Sequence, residues 1–318
     1  MTGSELLLAA SIDAMVGDPR WLPHPVRGMG CAITWCDELV RRKCRSPGAL
    51  RTASLSLAVG LPLFVYLLGH WVIDIAGSMS GWFGSVVAIG LASTTLAGRD
   101  LWDHVQAVNE QLEQGHLPGA RQAVGMIVGR DTERLSEDEI VRATVETVAE
   151  STADGMIAPL FYLVIGGAPL ALAYKAINTL DSMIGHQDER HFDFGWASAR
   201  LDDVANWIPS RLSAILLVIA TGVVTRNAAR VISGWRVLYR DGGKHPSPNS
   251  GRPEAAMAGS LGVQLGGTNY YDGVPHERPI MGTGGRQLVP RDIGVASRIM
   301  VVTCFLGVIL AVGILWLV

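Results

Sequence analysis

An all-α, polytopic integral membrane protein is the fold class this sequence predicts, and three observations predict it. Four stretches, Ser54–Ile73, Ser80–Gly98, Gly155–Tyr174 and Ile299–Val318, run 19 or 20 residues without Asp, Glu, Lys or Arg. About 20 helical residues cross a hydrocarbon core of about 30 Å. Of the 318 residues, 49% are apolar and 17% charged, against roughly 25% charged in an ordinary soluble domain. Strand-like alternation is scarce, so the segments between spans are expected to be helical with long irregular connections. The net charge of −3 gives no general attraction to nucleic acid, and none is expected as a partner.

From the N-terminus, no basic region precedes the first apolar run, and Glu5 and Asp13 interrupt it, so no cleavable signal is expected. Leu6–Val16 reads as an interfacial helix or a short sixth membrane element. Arg20–Arg51 holds seven Lys/Arg and is assigned to the cytoplasm, because basic loops stay on that side. Asp74–Met79, between the first two spans, has no basic residue and suits the far side. Arg99–Asp154 returns to the cytoplasm with five arginines and an acidic excess. Within it Arg99–Leu117 and Ser136–Asp154 are the clearest helices, the second opened by a capping box of Ser136 with Glu139. A fifth, shorter span, Leu212–Thr225, extends back to about residue 207, and Arg226–Ser297, with nine Lys/Arg, is the last cytoplasmic loop.

Gly166-Gly167-Ala168-Pro169 is expected to break the helix of the third span. If the third and fifth spans both cross fully, Lys175–Arg211 lies on the far side. A broken or re-entrant pair lining a cavity would instead let it face the cytoplasm, and that reading is favoured. No internal repeat divides the chain, which reads as one membrane domain over residues 1–318. The densest turn chemistry falls at Asp241–Gly251 and Gly282–Gly285. Cys31, Cys36, Cys44 and Cys304 have no metal-type spacing and read as free thiols.

Polar groups crowd beside these spans. An ionisable group at mid-bilayer depth costs about 2.5–3.5 kcal/mol on insertion scales, so such groups usually pair or line a cavity. Glu146, Glu150 and Asp154 stand at i, i+4 and i+8 on one helix face. Like charges four apart repel by roughly 0.2–0.5 kcal/mol per pair, which points to a cation such as Mg²⁺ with nucleotide phosphates. The plain alternative is a solvated acidic face with Arg142 pairing to Glu146. Lys175, Asn178, Thr179 and Ser182 share a helix face with Asp181 at its edge, a set suited to phosphate oxygens; a snorkelling lysine is the alternative. Asp202 and Asp203 adjoin Asn206, with Arg200 and Arg211 as pairing partners. His245-Pro-Ser247-Pro-Asn249-Ser-Gly251 forms a stiff loop able to nest an anion or cover a ligand, or an ordinary prolyl turn. His24 and Arg27 lie in a second stiff segment after Asp18-Pro19. No Walker loop, dinucleotide fingerprint, HExxH or nucleophile elbow is present.

Together Gly17–Gly30 (GDPRWLPHPVRGMG), Val128–Thr132 (VGRDT), Val145–Tyr162 (VETVAESTADGMIAPLFY), Tyr174–His186 (YKAINTLDSMIGH), Phe194–Leu212 (FGWASARLDDVANWIPSRL) and His245–Gly259 (HPSPNSGRPEAAMAG) resemble the adenosylcobinamide-phosphate synthase family of cobalamin biosynthesis, the polytopic CobD/CbiB proteins. Ser151 stands where that family usually has Asn, and Arg252 where an aromatic residue is common. The resemblance implies an inner-membrane enzyme that joins aminopropanol phosphate, or aminopropanol, to a propionate carboxylate of adenosylcobyric acid. ATP and Mg²⁺ would serve, through an acyl phosphate, with the corrinoid as substrate.

On that resemblance, Glu146, Glu150, Asp154 and Asp203 are the expected metal contacts. Arg130, Lys175, Asn178, Ser247 and Asn249 are the expected nucleotide and phosphate contacts. His24, Arg27 and Arg211 would bind substrate, and Lys175, Asp202 and His245 would carry the chemistry, Asp202 at the amine. Lipid surrounds the protein; a homo-oligomer and contact with other cobalamin-biosynthesis enzymes are compatible with it. The competing class is a membrane transporter, or a non-catalytic regulator or carrier on the same scaffold. Charged spans suit a transporter equally, but no paired broken segments suggest inverted repeats.

Overall fold

The computed structural model describes residues 1–19, 21, 23–44, 46–185 and 191–317. Arg20, Leu22 and His186 of the motif stretches lie outside the described residues. In chain order the elements are α1 (Gly3–Val16), α2 (Pro25–Lys43), α3 (Pro47–Met79), α4 (Gly81–Ser93), α5 (Gly98–Glu113), α6 (Leu117–Val124) and α7 (Glu137–Thr152). A π-helical segment, Ala153–Ile157, leads into α8 (Ala158–Ile184), α9 (Trp196–Ala205), α10 (Trp207–Thr225), α11 (Ala228–Asp241) and α12 (Gly251–Leu261). A hairpin of β1 (Gln264–Tyr271) and β2 (Val274–Gly282) precedes α13 (Arg291–Leu317). Five helical stretches are long and apolar enough to cross a membrane: the protein is all-α and polytopic. The expectation of helical loops with irregular connections needs one correction, the hairpin.

The chain forms two compact units. The first holds α1–α4, α8, α9 and the end of α13 from Val308. Its helix α3 explains itself by two faces. Leu55, Val59, Leu63, Leu67, Trp71 and Ile75, each four residues on, are exposed as an apolar face suited to lipid tails, whereas Ser54, Ala58, Pro62, Val65 and Gly69 are buried. Helix α8 kinks where its glycines and proline predict: Gly166 leaves the helical region and Gly167 takes φ +65°, a conformation that suits glycine. Helix α1 opens on a capping box of Thr2 with Glu5; its 14 residues reach about 21 Å, short of a hydrocarbon core.

Helix α4 stops at Ser93, earlier than the charge-free run to Gly98 suggests. Ser93, Thr94 and Thr95 each donate their hydroxyl to the carbonyl three residues back, at 2.8, 2.8 and 2.7 Å. Three such bonds in a row compete with helix continuation.

The second unit holds α5–α7, the π segment, α10–α12, the hairpin and α13 to Gly307. Its core gathers Val105, Val141, Val145, Leu217, Val237, Met257 and Ile299, all under 1% exposed. Helix α7 begins at the expected capping box, with Ser136 N–H 2.8 Å from Glu139 Oε2. Helix α12 is almost wholly buried, and its small residues let α11 approach: a Cβ on Gly259 would lie 2.7 Å from the Ser233 carbonyl oxygen. Thr221 donates to Ser260 at 2.8 Å and joins α10 to α12. In the hairpin, Tyr271 pairs with Val274 across a two-residue Asp272-Gly273 turn, both at positive φ, the geometry that matches strand twist.

Candidate functional site

In the second unit, three distant motifs converge. Arg130 follows α6 in a loop pinned to the hairpin: Asp131 N–H donates to the Tyr270 carbonyl at 2.8 Å, and Asp131 Oδ2 accepts from Gly273 N–H at 2.7 Å. So held, Arg130 donates to Asn269 Oδ1 and, at 2.7 Å, to Glu146 Oε2 on α7. The other oxygen of Glu146 accepts from Gly266 N–H at 2.8 Å. Arg142 is turned to the Gly266 and Thr268 carbonyls and to Asn269, so Glu146 takes Arg130 as its guanidinium partner. One turn further on α7, Glu150 Oε1 accepts from Ser250 Oγ at 2.7 Å. Asp154 sits in the π segment, outside the α-helical register of Glu146 and Glu150. Among the described residues no group of three His, Cys, Asp or Glu side chains could hold a metal.

Ser250 closes the His245–Ser250 loop, which folds on itself. Ser247 Oγ accepts from the Asn249 and Ser250 N–H groups at 3.2 and 3.3 Å. Asn249 Oδ1 accepts from Ser210 Oγ of α10 at 3.2 Å, the residue before Arg211. Arg211 stacks on Trp207, 4.1 Å from the ring centre, and donates to its carbonyl at 2.6 Å.

Ser247 N–H donates to His245 Nδ1 at 3.0 Å. That leaves the neutral ring's proton on Nε2, which stands 2.9 Å from Arg278 Nη1, itself a donor. An anionic oxygen placed to accept from both donors would satisfy them together. Burial, and then the Arg278 charge, pull the His245 pKa down, so the ring is neutral at neutral pH.

Arg278 and Glu254 were not singled out from sequence. Arg278, on β2, donates to Tyr271 Oη at 3.1 Å. Burial lowers its pKa, yet Tyr271, Glu254 and Glu150 outweigh that and raise it overall. Glu254, on α12, is 2% exposed; burial, then Glu146 and Glu150, push its pKa well above the carboxylate range. A buried third carboxyl beside two others holds either a proton or a cation. The Asp272-Gly273 pair was the signal for the hairpin, and so for Arg278; Glu254 lay in a quoted motif with no local mark of its burial.

The first unit holds the remaining residues. On α9, Asp202 is 9% exposed. Asn206 Nδ2 donates to its Oδ2 at 3.0 Å, and its Oδ1 has no partner among the described residues. Burial, then the charge of Asp181, raise its pKa to about 7. Tyr174 Oη donates to Asn206 Oδ1 at 2.9 Å and stacks on Tyr162. Asp203 pairs with Arg200 at 3.3 Å. Lys175 lies one turn before Thr179, whose hydroxyl donates to the Lys175 carbonyl at 2.6 Å. His24 Nε2 is 3.1 Å from Asp18 Oδ1 at the start of α2, which also carries Arg27. The four cysteines are free.

A family model described as CobD/Cbib protein matches residues 6–300. This chain belongs to the CobD/CbiB family. A relative from Geobacter metallireducens, named cobalamin biosynthesis protein CobD, is 49% identical over 284 residues, 88% of this chain and 86% of that one. Another from Klebsiella pneumoniae, also named cobalamin biosynthesis protein CobD, is 43% identical over 309 residues, 96% of each. One from Salmonella typhimurium, named cobalamin biosynthesis protein CbiB, is 44% identical over 309 residues, 96% and 95%. No solved structure matches. The CobD/CbiB match spans the motifs of both units, the Arg130–Glu146 pair and the Asp202–Asn206 contact included.

Proposed function

We propose that this protein acts in cobalamin biosynthesis as an ADP-forming amide synthase of the inner membrane, joining aminopropanol phosphate (or aminopropanol) to a propionate carboxylate of adenosylcobyric acid. The observation that carries the reading is the second unit's network, in which Arg130, Glu146, Glu150 and the His245–Ser250 loop meet Arg278 and Glu254. Guanidinium groups, a loop of backbone N–H donors and carboxylates are the parts that phosphoryl transfer uses, because its catalysis is mostly positioning and charge stabilisation.

Arg278 and His245 Nε2–H are assigned to a phosphoryl oxygen, Arg130 to a second phosphate, and Ser247 and Asn249 to shaping the loop over it. Mg²⁺ fits as well: Glu254 needs a proton or a cation, and Mg²⁺ takes one or two carboxylates with phosphate and water. Glu150 and Glu254 would hold it, and it would neutralise phosphate charge. The carboxylate of the corrinoid attacks the γ-phosphorus, ADP leaves, and an acyl phosphate forms. The amine then attacks the carbonyl carbon, and phosphate leaves with one former carboxylate oxygen. Within the first unit, Asp202 is the candidate base by its own chemistry: one carboxylate oxygen has no partner among the described residues and its pKa is raised to about 7, which suits uptake of a proton near neutral pH.

Detergent-purified protein given adenosylcobyric acid, aminopropanol phosphate, ATP and Mg²⁺ tests this. One ADP per amide is the expected result. Folded protein that binds corrinoid without turnover would support a carrier or regulator, and corrinoid movement across vesicles without ADP would support a transporter.

A further inference from the structure

A cavity of about 490 Å³ opens in the second unit where α10 ends and α13 begins. Its walls carry Arg230, Arg286, Arg291 and Arg298, a single carboxylate, Asp292, and three valine side chains. Four guanidinium groups against one carboxylate leave a surplus of three positive charges. Arg286 is spoken for: its two terminal nitrogens donate to Asp292 at 2.7 and 2.6 Å, and one also reaches the Leu261 carbonyl at 3.1 Å. Arg298 donates to the Gly294 carbonyl of its own helix at 3.2 Å, its one side-chain bond among the described residues. Among the described residues no hydrogen bond or ion pair engages the guanidinium of Arg230 or Arg291; Arg230 is held through its backbone N–H, 3.4 Å from Asn227 Oδ1.

Depth decides what such a cavity suits. Leu212–Thr225 on one side and Ile299–Leu317 on the other contain no charged residue, so the hydrocarbon core ends at the cavity. Arg298 stands at that edge, and Arg291 lies about 10 Å further along the helix axis, within the headgroup layer. Arginines at a span end often snorkel singly to the surface. Here they come from α11, the β2–α13 connection and α13, and enclose a volume. Below them Val301 and Phe305 of α13 and Ile219 and Val223 of α10 are exposed, which offers an apolar track for acyl chains. We propose that this cavity binds the phosphate headgroup of an anionic phospholipid, with Arg230, Arg291 and Arg298 on the phosphate and the chains along α10 and α13. The basic 226–297 segment places it on the leaflet facing the cytoplasm.

The test uses the full chain in phosphatidylcholine vesicles with and without phosphatidylglycerol, followed by native mass analysis of retained lipid and by thermal unfolding. Wild type should retain phosphatidylglycerol preferentially and unfold at a higher temperature when it is present. Arg230→Gln with Arg291→Gln should cut that preference about thirtyfold, whereas Arg42→Gln with Lys43→Gln, equally basic but remote in sequence, should leave it. An unchanged preference in the first double variant, or an equal loss in the second, would overturn the assignment. Wild type that unfolds identically in both lipids would overturn it without any variant. Inorganic phosphate alone displacing the lipid at millimolar concentration would assign the cavity to a free anion instead.

Discussion

Glu254 takes its charge state from its neighbours, so its amide is the sharpest substitution in the second unit. Glu254→Gln keeps the shape of the protonated side chain; the protein should unfold within a few degrees of wild type, while turnover falls at least about 100-fold if ionised Glu254 is needed for the metal. Arg130→Ala should behave oppositely and cost about 3–5 kcal/mol of stability, because it strands the buried Glu146 carboxylate. Arg130 is 6% and Glu146 12% exposed at the side chain, so solvent cannot repair the loss. Equilibrium unfolding of the two variants separates these outcomes.

Asp202 gives the pH prediction. Its folded pKa, about 7, lies above the ordinary value of 3.8, so its contribution to stability is full below about pH 4 and lost as pH rises through 7. Asp202→Asn should remove that loss and flatten the Tm profile between these limits. A wild-type profile as flat as the variant's would contradict the burial of this carboxyl. Arg130, Glu146, Glu150, His245 and Asp202 were legible in the sequence as charged motifs beside apolar spans. The partners Asn269, Arg278 and Gly266 were not, because they reach these residues across more than a hundred residues or through an unrecognised hairpin.

At the scale of elements, the position of the His245 loop depends on how closely α11 and α12 pack. Gly259→Ala puts a methyl group 2.7 Å from the Ser233 carbonyl oxygen, a backbone atom that cannot swing aside. The two helices must part, at about 1–3 kcal/mol, with a Tm fall of a few degrees. Turnover should fall with it, since α12 carries Glu254 and α11 leads into the loop. The helices themselves read well from sequence: the capping box at Ser136, the break at Gly166-Gly167 and the long spans all follow local rules. The early end of α4 did not, because it depends on three consecutive hydroxyl bonds that a charge-free run conceals. The hairpin was missed because its strands are rich in glycine and polar residues, and only the Asp272-Gly273 turn marks it.

For the whole molecule, apolar length dictates the class: five membrane-capable stretches leave their exposed faces to lipid and place polar motifs beside them. Membership of the CobD/CbiB family places the protein in cobalamin biosynthesis, and the proposed phosphoryl site draws on the buried ion-pair network of the second unit. The central claim is that ATP activates a carboxylate for attack by an amine. Adenosylcobyric acid labelled with ¹⁸O in the reacting carboxylate, turned over by the purified protein, tests it most directly. The account predicts one ¹⁸O in the inorganic phosphate for every amide formed, with ADP unlabelled. Amide formed with unlabelled phosphate, or label found in AMP, would contradict it.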